Sequence, residues 1–142
     1  MPFIPQTTSY CGPASLASVM NYYGSRTTQE EIGSCVYTEK LNGSLITDLE
    51  NYAKTKNFKT ILSTGRTNDL KHYLNQGRPV IVLIEMGFWI ISKPHYLVLT
   101  GYTPKGFIAH TGYKASKFMP YPDFNYMWTE MGNTFLVIYK EK

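Results

Sequence analysis

Residues 6–24 read QTTSYCGPASLASVMNYYG and place one cysteine, Cys11, immediately before a Gly-Pro turn that opens into a predicted amphipathic helix. Gly12 gives the backbone freedom to turn, and Pro13 holds φ at the value that a first helical residue adopts. The unpaired N–H groups and the positive dipole end at a helix N-terminus favour a thiolate, which is the nucleophilic form of cysteine. The stretch therefore predicts either a reactive Cys11 or, because a lone cysteine also packs as a small hydrophobe, an ordinary buried thiol.

A histidine in a second stretch favours the reactive alternative. Residues 94–102 read PHYLVLTGY, a strongly β-prone run with His95 at its start and a Thr-Pro-Lys-Gly turn after its end. A helix-start cysteine that faces a strand-start histidine is the geometry of a thiolate–imidazolium pair. In such a pair, His95 takes the thiol proton and later returns it to the leaving amine.

These two blocks, together with residues 21–24 and 77–81, resemble the papain-like cysteine peptidases related to the bacteriocin-processing, double-glycine leader peptidases. The matching segments extend over nearly the whole chain in the family's order. The resemblance implies a papain-like α+β fold, a catalytic Cys11 and His95 as general base and acid. It also implies that Gln6, together with the Cys11 backbone N–H, stabilises the oxyanion. The resemblance further implies a peptide or protein substrate that is cut after a pair of small residues such as Gly-Gly. It implies no cofactor.

Two departures from the family's pattern concern the groups around this pair. The glutamine precedes the cysteine by five positions instead of six, and residues 107–112, FIAHTG, have no aspartate near Thr111, where the family's third catalytic member is expected. The group that orients His95 could be the Thr111 hydroxyl, a backbone carbonyl or His110, and Asp123 is the nearest downstream carboxylate. Because the third member holds a tautomer and does not react, its absence predicts reduced activity and not complete loss.

The order of predicted elements indicates the fold class. With 142 residues and 43% apolar content, the chain is long enough for one domain, residues 1–142, with a sizeable core. The patterns predict helices at 11–23, 28–32, 45–56, 70–76 and 124–129, and strands at 58–62, 80–85, 95–102, 106–110 and 134–139, with a loop over 112–122. Thr28, Ser44 and Asp123 are the predicted N-caps of three of these helices. Helices followed mainly by antiparallel strands predict an α+β fold with N-terminal helices packed on a sheet.

An aromatic connection precedes the histidine. Residues 87–94 read GFWIISKP, and loops on a rigid scaffold commonly carry substrate recognition. Phe88 and Trp89 are therefore candidate substrate-binding residues, with covering of the core as the alternative.

Several classes of partner are excluded by composition and spacing. The net charge is +4, but no run alternates basic with aromatic residues, so we expect no nucleic-acid partner. His72, His95 and His110 lack metal-ligand spacing, which predicts no metal site. Cys35, at the end of a short predicted helix, is interpreted as structural. A disulfide with Cys11 would silence the nucleophile and is the less favoured alternative. We expect the protein to be a monomer.

Targeting features are weak throughout the sequence. No segment approaches the roughly 20 apolar residues that a membrane-spanning helix needs, and residues 1–5 lack the pattern of a signal peptide. We expect either a cytoplasmic protein or an exported or lipid-anchored protein whose signal lies outside this sequence.

The function that these patterns favour is a cysteine peptidase. Two alternatives stay open. The first is a degenerate peptide-binding domain without turnover, which the missing aspartate and the shortened Gln-to-Cys spacing support. The second is a cysteine-dependent acyl transferase, in which an amine or a thiol replaces water as the acceptor.

Overall fold

A computed structural model describes residues 2–4, 11–38, 43–86, 94–112 and 114–140. Within these ranges the chain forms five helices and eight strands. The helices are α1 (Cys11–Tyr22), α2 (Gln29–Val36), α3 (Ile46–Thr55), α4 (Thr67–Asn75) and α5 (Tyr121–Thr129). The strands are β1 (Tyr37–Thr38), β2 (Gly43–Ser44), β3 (Lys59–Thr64), β4 (Val80–Glu85), β5 (Pro94–Thr103), β6 (Gly106–His110), β7 (Lys117–Pro120) and β8 (Thr134–Tyr139).

One six-stranded antiparallel sheet organises the molecule. Its strand order is β3-β8-β4-β5-β6-β7, and β1 pairs with β2 as a separate short ribbon. Every pair in the large sheet is antiparallel, as predicted. The predicted β5–β6 hairpin is also confirmed, since Thr103 pairs with Gly106 at its turn.

The two faces of this sheet bury two separate apolar cores, because successive strand residues point to opposite faces. The first core packs against α1, α2 and α3 and takes from the sheet Ile81, Tyr96, Val98, Leu136 and Ile138. The second packs against α4 and α5 and takes from the sheet Val80, Val82, Ile84, Leu97, Leu99, Phe107, Ala109, Met119, Phe135 and Val137. Side chains one position apart on β5 therefore lie in different cores.

The ends of α1 and α2 follow their capping residues. Thr28 is the N-cap of α2, and its hydroxyl accepts the Glu31 N–H at 3.2 Å, as the Thr-to-Glu spacing predicts. Past the end of α1, Gly24 has a φ of 94°, and the Ser25 N–H donates to the Met20 carbonyl at 3.0 Å. A glycine in the left-handed region is the usual terminator of a helix, so this predicted stop is confirmed.

The predicted starts of α3 and α4 are wrong. The N-cap position of α3 belongs to Leu45 and not to Ser44, because Ser44 pairs with Tyr37 in the β1–β2 ribbon. Helix α4 begins at Thr67, three residues earlier than predicted. The Asp69 carboxylate accepts the Arg66 N–H at 2.7 Å, so it stabilises the first turn from inside the helix.

The predicted loop over residues 112–122 contains a strand and a helix start. Lys117–Pro120 forms β7 at the edge of the sheet, paired with β6, and α5 begins at Tyr121. Asp123 therefore lies in the first turn of α5 and does not cap it. Among the described residues, no helix combines the length and the apolar character needed to span a bilayer.

Candidate active site

Cys11 is the first residue of α1 and is half-buried, which confirms the predicted helix-start position. Three backbone N–H groups contact its sulfur: those of Gly12, of Cys11 itself, and of Tyr96 in β5. The Tyr96 contact brings the sulfur to the beginning of β5, at the residue that follows His95.

The electrostatics of the thiol differ from the expectation for a helix N-terminus. Burial raises the pKa of the Cys11 thiol, and the three N–H groups lower it by less, so the pKa lies above its ordinary value. The N–H groups act in the predicted direction, since each lowers the pKa of the thiol, but burial outweighs them. The physical reason is the loss of water around the sulfur, which penalises the charged form.

Tyr96 connects this thiol to the sheet, and the sequence patterns did not single it out. Its hydroxyl donates to the Ser44 carbonyl at 2.7 Å, and its ring lies where a Cβ on Gly12 would approach within 3.2 Å. Burial, followed by the nearby charges of Cys11 and Asp48, raises the pKa of the Tyr96 phenol, so the hydroxyl stays a donor. Two features of the sequence could have pointed to this contact: an aromatic residue follows the strand-start histidine, and a glycine follows the cysteine.

His95 lies one residue away from Tyr96, on the other face of the sheet. It is 4% exposed and pairs across the ladder with Ile84, which belongs to the core under α4 and α5. Its Nε2 lies 2.5 Å from the backbone carbonyl oxygen of Thr111. A carbonyl accepts, so this contact orients the ring with the proton on Nε2.

Three groups were candidates for orienting His95: the Thr111 hydroxyl, a backbone carbonyl and His110. The contact described above is with a backbone carbonyl, that of Thr111. The Thr111 hydroxyl accepts the Lys114 N–H at 3.0 Å and donates to the Lys114 carbonyl at 3.3 Å. The His110 ring contacts the Phe3 ring, and its Nδ1 accepts the Ser116 N–H at 3.0 Å. Both side chains thus hold the turn after β6, while the Thr111 carbonyl contacts His95.

The other predicted site residues stand as follows. Gln6, Phe88 and Trp89 lie outside the described residues. Both cysteines are free thiols, and Cys35 is exposed near the end of α2. In the described ranges, no group of three or more His, Cys, Asp or Glu side chains is placed to hold a metal ion.

The described residues are of the types that acyl transfer through a thioester uses. They are a thiol at a helix start with backbone N–H groups around the sulfur and, at the adjoining position of β5 but on the other face of the sheet, a histidine held by a neutral acceptor. Attack on a carbonyl requires a group such as the thiol, and proton transfer to a leaving group requires a group such as the histidine.

Comparison with protein families gives one match, the Peptidase_C39 like family, over residues 1–135. A comparison with curated proteins gives no significant match.

Solved structures with the same fold include three from peptidases. The peptidase domain of Streptococcus ComA, a bi-functional ABC transporter of a quorum-sensing pathway, has 26% identity and a TM-score of 0.81, with 97% of each chain covered. A putative C39-like peptidase from Bacillus anthracis has 18% identity and a TM-score of 0.80, with 99% of this chain and 95% of that chain covered. A double glycine motif protease from an AMS/PCAT transporter, in complex with its leader peptide, has 22% identity and a TM-score of 0.77, with 96% of this chain and 89% of that chain covered.

These matches confirm the papain-like α+β fold and the relation to the bacteriocin-processing peptidases that the sequence resemblance implied. The family match covers α1 with Cys11, β5 with His95, and the sheet as far as the start of β8. The chain therefore belongs to the Peptidase_C39 like family of cysteine peptidases.

Proposed function

We propose that this protein hydrolyses peptide bonds, with Cys11 as the nucleophile and His95 as the general base and acid. The proposal rests on the family match and on the contact of the Cys11 sulfur with the Tyr96 backbone N–H, which places the thiol at the beginning of β5. His95 leaves the same end of β5 on the other face of the sheet, so in this proposal the proton passes around the start of the strand. The nucleophile and the base stand on two elements, α1 and β5, which pack directly against each other.

The orientation of His95 decides which of its ring nitrogens accepts the thiol proton. Because Nε2 faces the Thr111 carbonyl, Nδ1 is the nitrogen that accepts the thiol proton. The sulfur then bonds to the substrate carbonyl carbon, and the carbonyl oxygen takes the negative charge. The Cys11 N–H and, on the strength of the family resemblance, the Gln6 side chain stabilise this oxyanion.

Collapse of this intermediate breaks the carbon–nitrogen bond, and the His95 imidazolium gives its proton to the leaving amine. A water molecule then attacks the thioester while His95 accepts one of its protons. The acid is released, and the proton returns to the sulfur, so the enzyme is restored without a net change.

The raised pKa of Cys11 has a consequence for this cycle. In these contacts the resting thiol is less acidic than an ordinary cysteine, so the thiolate depends on proton transfer to His95. Loss of His95 should therefore remove reactivity at neutral and acidic pH almost completely.

The proposed substrate is a peptide. The support is the similar double glycine motif protease, whose structure contains a leader peptide. A small pair such as Gly-Gly before the scissile bond is the sequence that the resemblance suggests.

Alkylation of Cys11 by iodoacetamide across pH 5 to 10 tests the pair. Cys35→Ser is the background in all proteins, because Cys35 is exposed and would also react. We expect the wild-type background to stay reactive well below the ordinary cysteine pKa of about 8.5. In His95→Ala, we expect the midpoint of the pH dependence of alkylation to move above that value, because burial of the thiol then acts without the imidazolium.

The result that contradicts the pair is a midpoint near or above the ordinary value in both proteins. A peptide that contains Gly-Gly then separates turnover from mere reactivity, because hydrolysis and its loss in Cys11→Ala are read by mass spectrometry.

A degenerate peptide-binding domain is the second candidate function. The raised thiol pKa and the neutral carbonyl in place of an aspartate favour it. It predicts peptide binding without a thioester and without cleavage. The same mass spectra would detect the acylated protein and the cleaved peptide if either formed.

A further inference from the structure

A groove of about 580 Å³ lies between α2 and α3, on the side of the sheet that carries α1. Small-molecule sites in proteins commonly have volumes of roughly 300–1,000 Å³, so this groove is large enough to be one. Tyr52 of α3 and Val36 of α2 give its wall an aromatic and an aliphatic part. Neither Cys11 nor His95 is among the described residues that line it, so the groove is separate from the proposed catalytic groups.

The Tyr52 ring in this groove already has a cation above it. The Lys56 ammonium lies 5.7 Å from the centre of the ring, and an aromatic face attracts a positive charge within about 6 Å of its centre. Lys56 is exposed and occupies the C-cap position of α3, so its flexible side chain can leave the ring while the helix stays folded. The ring is therefore a place for an ammonium group that a ligand could take over.

The charges in the groove favour the same kind of ligand. Glu31 of α2 and Asp48 of α3 line it from opposite sides, and Lys56 is the single base among its described lining residues. The groove is therefore net negative, although the whole chain carries a net charge of +4. Burial, followed by the charges of Cys35 and Glu31, raises the pKa of the Tyr52 phenol, which shows that the α2 side faces this ring.

Two hydroxyl groups in the groove are oriented as acceptors. The Ser34 hydroxyl donates to the Glu31 carbonyl at 2.8 Å, and the Thr55 hydroxyl donates to the Tyr52 carbonyl at 2.6 Å. Because each hydroxyl has one proton, which is used within its own helix, its oxygen offers lone pairs to a ligand. An ammonium group has only donors and matches these oxygens, whereas a carboxylate or a phosphate does not.

We propose that this groove binds a small linear aliphatic diamine in its diammonium form. One ammonium takes the place of the Lys56 ammonium over the Tyr52 ring, and the carboxylates of Glu31 and Asp48 balance the two charges. The aliphatic chain lies along Tyr52 and Val36. Lys56 is then a built-in competitor that the ligand displaces, and the site does not depend on the proposed peptidase activity.

The test is a titration of the whole chain with cadaverine, a five-carbon diamine, at constant ionic strength. Calorimetry gives the affinity, and NMR of ¹³C-labelled tyrosine rings gives the location. Pentylamine, with one charge, and the neutral diol of the same length are the comparison probes. We expect cadaverine to bind saturably and at least about threefold more tightly than pentylamine, and the diol not to bind. The Tyr52 signal should shift, whereas that of Tyr126, which is 73% exposed on α5, should not.

Lys56→Ala is the decisive variant, because it removes the competing ammonium through an exposed side chain and leaves the core intact. We expect it to bind cadaverine at least about threefold more tightly than the parent protein. Lys54→Ala makes the same change of charge in the same helix, at a residue that does not line the groove. Its affinity should stay within about twofold of the parent affinity.

A second pair of variants tests the carboxylates. Glu31→Gln combined with Asp48→Asn should weaken cadaverine binding at least about threefold. Glu30→Gln combined with Asp123→Asn is the matched control, since it removes the same charges from two exposed first-turn positions outside the groove. Because all four residues lie in the first turns of helices, both variants lose similar stabilisation by the helix dipole. The control should bind cadaverine as the parent protein does.

Equal binding of cadaverine and the neutral diol, or a Tyr126 shift as large as the Tyr52 shift, would overturn the proposal. Unchanged or weaker cadaverine binding by Lys56→Ala would also overturn it. Each of these results leaves the proposed peptidase activity as it stands, because that activity is measured by peptide hydrolysis and by Cys11 alkylation.

Discussion

At the residue scale, Thr111 shows how a histidine is oriented where the family's aspartate is missing. The contact to His95 comes from the Thr111 backbone, so it does not depend on the side chain. We predict that Thr111→Ala lowers the rate of Cys11 alkylation at pH 6 by less than about tenfold. The reason is that the substitution removes only the two hydrogen bonds with Lys114, each worth about 1 kcal/mol.

His95→Ala is the reference for this comparison, measured at the same pH in the Cys35→Ser background. A loss in Thr111→Ala as large as the loss in His95→Ala would mean that the hydroxyl, and not the carbonyl, holds the ring.

At the element scale, the contact between α1 and β5 holds the Cys11 thiol at the sheet. A Cβ at Gly12 would lie 3.2 Å from the Tyr96 ring and 3.3 Å from Leu49, so both side chains would have to move by a few tenths of an ångström. We predict that Gly12→Ala lowers Cys11 reactivity and any peptidase activity by at least about tenfold, since small misplacements of reacting groups are costly. Its thermal midpoint should change little, because alanine regains up to about 1 kcal/mol of helix propensity.

Gly101→Ala is the matched control for Gly12→Ala. Gly101 lies in β5, the strand against which α1 packs, but a Cβ there would meet no atom within 4 Å, and its φ does not require glycine. If Gly12→Ala kept full alkylation rates, the close packing of α1 on Tyr96 would not be what positions the thiol.

A second element-scale prediction concerns the hydroxyl of Tyr96. Tyr96→Phe removes the 2.7 Å hydrogen bond to the Ser44 carbonyl and keeps the ring on Gly12. We expect the free energy of unfolding in urea to fall by about 1 kcal/mol, with Cys11 alkylation within about twofold of the parent. Loss of alkylation in Tyr96→Phe would show that the link to β2 also positions α1.

The elements differ in how much of them the sequence could reveal. The positions of Cys11 at a helix start and of His95 at a strand start were predictable from local sequence. Cys11 precedes a Gly-Pro turn, and His95 begins a strongly β-prone run. Strand β7 was not predictable, because four residues carry no clear period and its partner β6 is supplied by tertiary structure. The placement of Tyr96 and His95 on opposite faces depends on strand register, which decides the face on which each β5 side chain lies.

At the scale of the whole molecule, the sheet separates the core that holds α1 from the core under α5. Phe124 is fully buried in the second core, with its ring 4.8 Å from Phe107 and 5.4 Å from Trp128. We predict that Phe124→Ala lowers the free energy of unfolding by about 3–5 kcal/mol, through lost burial and a new cavity. Tyr126→Ala, on the exposed side of the same helix, should change it by less than about 0.5 kcal/mol.

Urea unfolding of both variants measures this difference, and Phe124→Leu replaces Phe124→Ala if the latter does not fold. Because Cys11 packs with the first core, its alkylation rate in folded Phe124→Ala should stay within about twofold of the parent rate. A larger change there than in Gly12→Ala would show that the two faces of the sheet are coupled. In that case the packing under α5 would itself control the reactivity of Cys11, and the contact between α1 and β5 would not be enough to position the thiol.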